Sequence, residues 1–263
     1  MTMDPEAARD TQPALLAIDG PVATITLNRP GVLNAIDVAM AAALERLALQ
    51  IEERADIRVL VIRGSGTGFC AGGDVSHFTA EPEQLEAFIR ELLGHYGAFL
   101  QTLRRMPQLV LTSVHGAAAG AGFSLAFMGD MTIAADTTRF TPAYHKLGVS
   151  PDGGGTIGLV EALGPRRALH VFLAQGSFDA AQAAAYGLAT AVVPADDLSD
   201  RTMDLARRLA MNSRETIEHT KRLVHRSAHA AMADQLDAER DALLACMRSD
   251  TFRTAVKRFR ASS

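Results

Sequence analysis

The 263-residue chain has no tryptophan, three tyrosines and two cysteines, and aromatic residues make up only 5% of it. Each scarcity excludes something. Aromatic platforms for stacking single-stranded nucleic acid are few, and 26 Lys and Arg against 30 Asp and Glu leave a net charge of −4. That balance gives no general attraction to nucleic acid or anionic lipid; only Lys257 to Arg260 is locally basic. Cys70 and Cys246 are too distant for a zinc knuckle or a redox CxxC and too few for a disulfide framework, which fits a reducing, cytoplasmic setting. Met1 to Gln12 lacks the basic start and apolar run of a secretory signal. No stretch approaches the roughly 20 apolar residues of a bilayer span, so no membrane anchor is expected.

Several catalytic signatures are missing as well. There is no GxSxG nucleophile elbow and no HExxH zinc motif. Gly64-Ser65-Gly66-Thr67-Gly68 has neither the Lys-Ser/Thr ending of a P-loop nor the GxGxxG spacing of a dinucleotide site. His219, His225 and His229 stand at spacings that suit no metal and read as solvated surface. No metal is expected.

What is present is a soluble globular composition, 48% hydrophobic and 21% charged. Ala14 to Ile18 and Val22 to Leu27 are apolar runs joined by Asp19-Gly20-Pro21, which predicts a hairpin. A helix capped by Asp37 follows, with apolar residues at spacings of three and four from Ala41 to Ile51. Val59 to Ile62, Leu109 to Val114 and Met131 to Ala134 read as buried strands, with a helix from Glu83 to Arg105 between the first two. Gly116 to Phe127 suits a turn into a buried helix, and Gly148 to Thr156 a loop. Beyond it the chain is almost all helix, with Ala191 to Val193 as one more strand. The order predicts an α/β core over residues 13–198 and a helical C-terminal region over 199–263.

Three glycine-rich junctions follow strands or precede helices: Phe69 to Asp74, Gly116 to Gly122, and Pro151 to Gly155. Taken singly they serve tight turns and close packing. Together they expose backbone N–H groups that could hold a developing negative charge, and two such donors make an oxyanion hole.

The motifs, in order, are Leu27-Asn28-Arg29-Pro30 with Leu33-Asn34-Ala35, FCAGGDV from Phe69, Val114-His115-Gly116 through Ala134, and LGVSPDGGGT from Leu147, followed by Ala180 to Val193. In these the chain resembles the crotonase superfamily of enoyl-CoA hydratases and isomerases, and within it the isomerases of the phenylacetate-degradation type. The resemblance spans Leu15 to the C-terminus. It implies a spiral of ββα units with a helical C-terminal trimerisation region, a homotrimer or hexamer, an acyl-CoA substrate, and no cofactor beyond the CoA carried by that substrate. It places the oxyanion-hole amides on Gly73 and Ala121. Val32, Leu33, Ala35, Ala71, Asp74, Val75 and Ser76 fall where the family holds the CoA adenine and pantetheine arm.

Hydratases of that family use two glutamates, and those positions are Ser124 and Tyr144 here. Neither is a competent general base at neutral pH. Asp152 falls where several isomerases carry an aspartate, and a single carboxylate suffices to move a double bond from the β,γ to the α,β position. A divergent hydratase working through Asp152 and an inactive acyl-CoA binder are the alternatives. From spacing alone Asp152 also reads as a helix N-cap, whose backbone partners would lower its basicity, whereas an apolar pocket with Phe69, Phe123 or Tyr144 would raise it. Tyr144 is expected to donate a hydrogen bond to substrate or to wall the acyl pocket. His95 is a lesser candidate, near the segment where a related dehalogenase carries a catalytic His. Glu81, Glu83 and Glu86 read as a solvated helix start, and Phe252 and Phe259 as helix packing or caps on a neighbouring subunit's pocket. Acyl-chain length, linear against aromatic substrate, and trimer against hexamer depend on Thr79 to Leu100 and on surfaces, and the sequence leaves them open.

Overall fold

A computed structural model describes residues 12–76 and 82–227. In chain order the elements are β1 (Ala14–Asp19), β2 (Val22–Leu27), α1 (Val38–Glu52), β3 (Val59–Gly64), α2 (Pro82–Arg105), β4 (Leu109–Val114), β5 (Ala117–Ala119), α3 (Ala121–Ala126) and β6 (Met131–Ala135). They continue with β7 (Arg139–Thr141), α4 (Tyr144–Leu147), α5 (Gly155–Leu163), α6 (Pro165–Leu173), β8 (Phe178–Asp179), α7 (Ala180–Ala185), β9 (Ala191–Val193), α8 (Leu198–Leu209) and α9 (Arg214–Ser227).

β1 and β2 form the expected antiparallel hairpin, with Asp19 opposite Val22. β3, β4, β6 and β9 then add in parallel, giving a sheet of order β1-β2-β3-β4-β6-β9. The continuous apolar run in β3 follows from burial on both faces. Val59 and Val61 point to one side, towards Leu198, Ala206 and Ala210, while Leu60 and Ile62 join the opposite cluster with α1 and α2. Each fully buried Leu or Ile there contributes about 1.5–3 kcal/mol. α1 starts where expected because the Asp37 carboxylate accepts the Met40 N–H at 2.8 Å. Its buried face is Met40, Leu44, Leu47, Ala48 and Ile51.

A second sheet, β5-β7-β8, was not legible in the sequence. Its strands are two or three residues long, too short for alternation to show. The segment from Gly116 is therefore a strand before it becomes a helix. β4 and β6 lie in the large sheet and β5 and β7 in the small one, so the chain repeats strand, strand, helix as it winds, an α/β spiral. Bridges from Ile36 to Gly73 and from Cys70 to Ala118 tie the first turns of that spiral to β5. At this seam Asn34, fully buried at φ +57°, directs its amide nitrogen at the carbonyls of Ser65 (2.9 Å), Gly68 (2.9 Å) and Phe69 (3.1 Å).

The division expected at 198/199 falls at the start of α8, which packs on β3, β4 and β6 as the cover of the sheet's second face. α9 corrects another expectation. His225 is not solvated surface: its Nε2 lies 2.7 Å from Asp130 Oδ1, beside the buried Lys221 Nζ at 2.9 Å from Asp130 Oδ2. Lys221 also donates to the carbonyls of Leu103 (2.8 Å) and Gln108 (2.9 Å). Glu81, His229, Cys246, Phe252, Phe259 and Lys257 to Arg260 lie outside the described residues, as does part of Thr79 to Leu100. Among the described residues no helix is long and apolar enough to cross a membrane, and no three His, Cys, Asp or Glu side chains gather as a metal site.

Candidate active site

The loop Phe69 to Asp74 is stitched on both sides. Ala71 N–H donates to Leu33 O at 2.9 Å, Ile36 N–H to Gly72 O at 2.7 Å and Asp74 N–H to Ile36 O at 2.9 Å. On the other side Cys70 N–H donates to Ala117 O at 3.1 Å and Ala119 N–H to Cys70 O at 2.9 Å. Among the described residues no acceptor takes the N–H of Gly73 or of Ala121, the first residue of α3. Gly72, at φ +99°, lets the two turns meet: a β-carbon there would lie 2.7 Å from Ala119 O and 3.1 Å from the Ala121 nitrogen. Two uncommitted amides therefore stand on adjoining, paired backbone segments, donors of the kind that can hold a developing negative charge.

Beside them lies a chain of polar groups. Tyr144 O–H donates to Asp152 Oδ1 at 2.8 Å and, more weakly, to Asp152 O at 3.2 Å, while Ser124 Oγ lies 2.7 Å from the phenol oxygen. The phenol's proton is committed to Asp152, so the Ser124 hydroxyl is the donor in that pair. Ser124 comes from α3 and Tyr144 from the start of α4, brought together because α3 is buried along its whole length. The Tyr144 ring meets Phe172 edge-on, their centroids 6.2 Å apart. Phe123 contacts Phe127, Phe172 and Phe178 instead, and so belongs to the core behind the site.

Burial pushes the Asp152 carboxyl above its ordinary value, and the Tyr144 hydrogen bond offsets only part of this. Burial likewise pushes up the Tyr144 phenol, and the nearby Asp152 charge adds to the effect. The helix-cap reading of Asp152 is overturned. The cap of α5 is Gly154, with no side-chain bond, and Gly155 N–H donates to the Asp152 carbonyl at 3.2 Å.

The seven residues expected to meet CoA fall together, because Leu33 to Ile36 runs alongside Ala71 to Asp74. Val32 and Val75 stand 48% and 54% exposed on this rim, large apolar side chains left open to a partner or ligand. Asp74 is held ionised. Hydrogen bonding from Ser76 foremost, then Arg29 at 3.0 Å, keeps its carboxyl below the usual range, and Arg29 also pairs with Asp37 at 3.1 Å. Cys70, fully buried between these segments, has its thiol pushed up to about 12 by burial and is no nucleophile.

His95 does not join this group: its Nδ1 pairs with Glu45 Oε2 on α1 at 2.6 Å. Its neighbour Tyr96, which sequence reasoning passed over, turns inward instead and donates to Ala121 O at 3.2 Å. The signal was available, since Leu92, Tyr96, Phe99, Leu100 and Leu103 form one buried helical stripe. Glu86 pairs with Arg90 on the surface, and Glu83 stands in the first turn of α2.

The sequence profile of the enoyl-CoA hydratase/isomerase family matches residues 17–261. The chain is 35% identical over 241 residues to the 1,2-epoxyphenylacetyl-CoA isomerase of Escherichia coli K12, covering 91% of this chain and 92% of that one. It is also 35% identical over 242 residues to a probable enoyl-CoA hydratase of Rhodobacter capsulatus, covering 90% and 91%. Among solved structures, an enoyl-CoA hydratase candidate from Thermobifida fusca YX in complex with CoA superposes with a TM-score of 0.84 at 31% identity, covering 94% of this chain and 97% of that one.

Proposed function

The chain belongs to the enoyl-CoA hydratase/isomerase family, and from that premise we propose that it isomerises an enoyl-CoA, carrying a proton from Cα to Cγ on Asp152. The thioester oxygen sits between the N–H groups of Gly73 and Ala121. The Asp152 carboxylate takes the Cα proton, and the electrons of that C–H bond flow into a dienolate whose oxygen the two amides stabilise. The same carboxyl returns the proton to Cγ, leaving the double bond conjugated with the thioester and Asp152 ionised again. Removing one oxyanion donor typically costs about 10²–10³ in rate.

Tyr144 holds one carboxylate oxygen and leaves the other for the substrate. Its hydrogen bond and that of Ser124 keep the base oriented without giving it a cation that would quench its basicity. The rim of Val32, Leu33, Ala35, Ala71, Asp74, Val75 and Ser76 takes the adenine and pantetheine arm, a reading supported by the CoA held in the Thermobifida fusca relative. The working unit is a homotrimer or a hexamer of two trimers, in the cytoplasm.

The observation that carries the proposal is that Asp152 is the one carboxylate in the Ser124–Tyr144–Asp152 group, where a two-glutamate hydratase would have two. A second reading, hydration with Asp152 activating water, is favoured by the name of the Rhodobacter capsulatus relative. The test is steady-state turnover of β,γ- and α,β-enoyl-CoA, following the absorbance of the conjugated thioester for wild type and Asp152→Asn. Gain of conjugation from the β,γ substrate, reduced by about 10²–10⁴ in the variant, is the expected result. Loss of conjugation from the α,β substrate alone assigns hydration, and turnover of neither leaves an acyl-CoA binder.

A further inference from the structure

We infer that Tyr96 is a positioning residue that fixes the Ala121 amide against the Asp152 loop, an inference that rests on the oxyanion role proposed above for Ala121. The side chain reaches the site from α2 and is 2% exposed. Its hydroxyl donates to the carbonyl of Ala121 at 3.2 Å, and its ring edge bounds the space that a side chain on Gly153, the residue after Asp152, would fill. A β-carbon at Gly153, where φ is +61°, would lie 3.1 Å from Tyr96 Cε1 and 3.3 Å from Ser124 Cβ. One aromatic side chain thus bonds the residue that supplies an oxyanion donor and closes off the side-chain space of the residue that follows the base.

The first turn of α3 needs such a tether. The helix has only six residues and no side-chain bond at its N-cap, Gly120, whose φ is +52°. On the backbone side Gly120 N–H donates to Thr141 O at 3.0 Å, and Gly72 packs against the turn. The Tyr96 hydroxyl adds a bond from a different element. A phenol ring has only two side-chain torsions, so a bond at its tip and a contact at its edge set one spacing between the two catalytic halves. Enzymes lose rate steeply when such a spacing drifts.

The experiment compares Tyr96→Phe, which keeps the ring and removes the hydroxyl, with wild type in two ways. In turnover of β,γ-enoyl-CoA, kcat falls about five- to tenfold while KM stays within about twofold, since CoA is gripped elsewhere. In the second measurement trans-cinnamoyl-CoA is bound to Asp152→Asn and to Asp152→Asn/Tyr96→Phe, and the red shift of its absorbance reports how strongly the thioester carbonyl is polarised. The shift per bound probe is smaller without the hydroxyl, and it is read independently of the folded fraction. An unchanged shift overturns the inference, as does an unchanged kcat in an active enzyme. A lower melting temperature with an unchanged shift also overturns it, by reducing Tyr96 to core packing. Absence of isomerisation in wild type would remove the proposed reaction, while the red-shift comparison still decides Tyr96.

Discussion

Two aspartates of this molecule make an instructive pair. Asp130 and Asp152 are both largely withdrawn from solvent, both precede a regular element, and both accept side-chain hydrogen bonds, Asp130 from His225, 95 residues on, and Asp152 from Tyr144, eight residues before it. Their surroundings drive them in opposite directions. Asp130 faces Lys221 Nζ at 2.9 Å and His225 Nε2 at 2.7 Å and takes the Val110 N–H at 2.8 Å. Burial works against its charge, but the His225 bond and the Lys221 charge carry the carboxyl below its ordinary value. Burial in turn lowers the Lys221 ammonium, against the pull of Asp130. Asp152 meets a phenol where Asp130 meets an ammonium and an imidazole, and its carboxyl rises. A partly buried carboxylate given a lysine ammonium becomes a fixed anion that fastens α9 to the core; one given only a hydroxyl keeps a usable affinity for protons.

The strongest way to break this contrast is Asp152→Asn. Turnover is expected to fall by about 10²–10⁴, and stability at neutral pH to rise. The sign follows from the raised pKa: the fold binds the Asp152 proton more tightly than the unfolded chain does. Stability linked to this group is therefore full below the ordinary carboxylate pKa and declines as pH rises through the folded value. The asparagine variant escapes that decline, so thermal melts of the two proteins should diverge at neutral pH and converge in acid. A variant that melts lower at neutral pH would show that the charge is stabilising and the contrast mistaken.

Lys221→Met probes the other member. It strands Asp130 without its ammonium and removes the donor from the Leu103 and Gln108 carbonyls, so urea unfolding should show a loss of about 3–5 kcal/mol. Turnover per folded molecule should stay as in wild type. Loss of turnover in fully folded Lys221→Met would mean that the two clusters are coupled.

Tyr144→Phe is the smallest perturbation and the one that sharpens the comparison most. The Tyr144 bond holds the Asp152 carboxyl down against burial, so removing the hydroxyl should move the acid limb of the kcat/KM profile to higher pH. At the pH optimum the rate should drop about tenfold, the scale of one lost hydrogen bond to a charged group. An acid limb that does not move would place the titrating group elsewhere.

Much of this was legible in the sequence. The hairpin, the Asp37 cap and the buried strands follow from patterns that local physics enforces over five or more residues. β5, β7 and β8 could not be seen, because they lack the β-branched pair that marks the equally short β9 and are made strands by their neighbours. For Asp152 the spacing to Gly155 suggested a cap, and only the arrival of Tyr144 from the preceding segment decides otherwise. His95 drew notice as a chemical side chain, yet one helical step turns Tyr96 inward and leaves His95 to Glu45. His225 looked solvated because its partner lies 95 residues away.

The amide of Asn34 sets a limit on how this protein ages. Its nitrogen faces three backbone carbonyls on the loop that leads to Gly73, and its oxygen takes the Arg29 N–H at 2.9 Å. Spontaneous hydrolysis of that amide changes little in shape, but it replaces a donor with an anion pressed against three oxygens. In the closed fold the group is shielded from water. Each transient opening exposes it, and a chain hydrolysed while open re-forms the loop against electrostatic repulsion. Storage loss would then begin at the spiral's first turn, at a rate set by how often that turn comes undone.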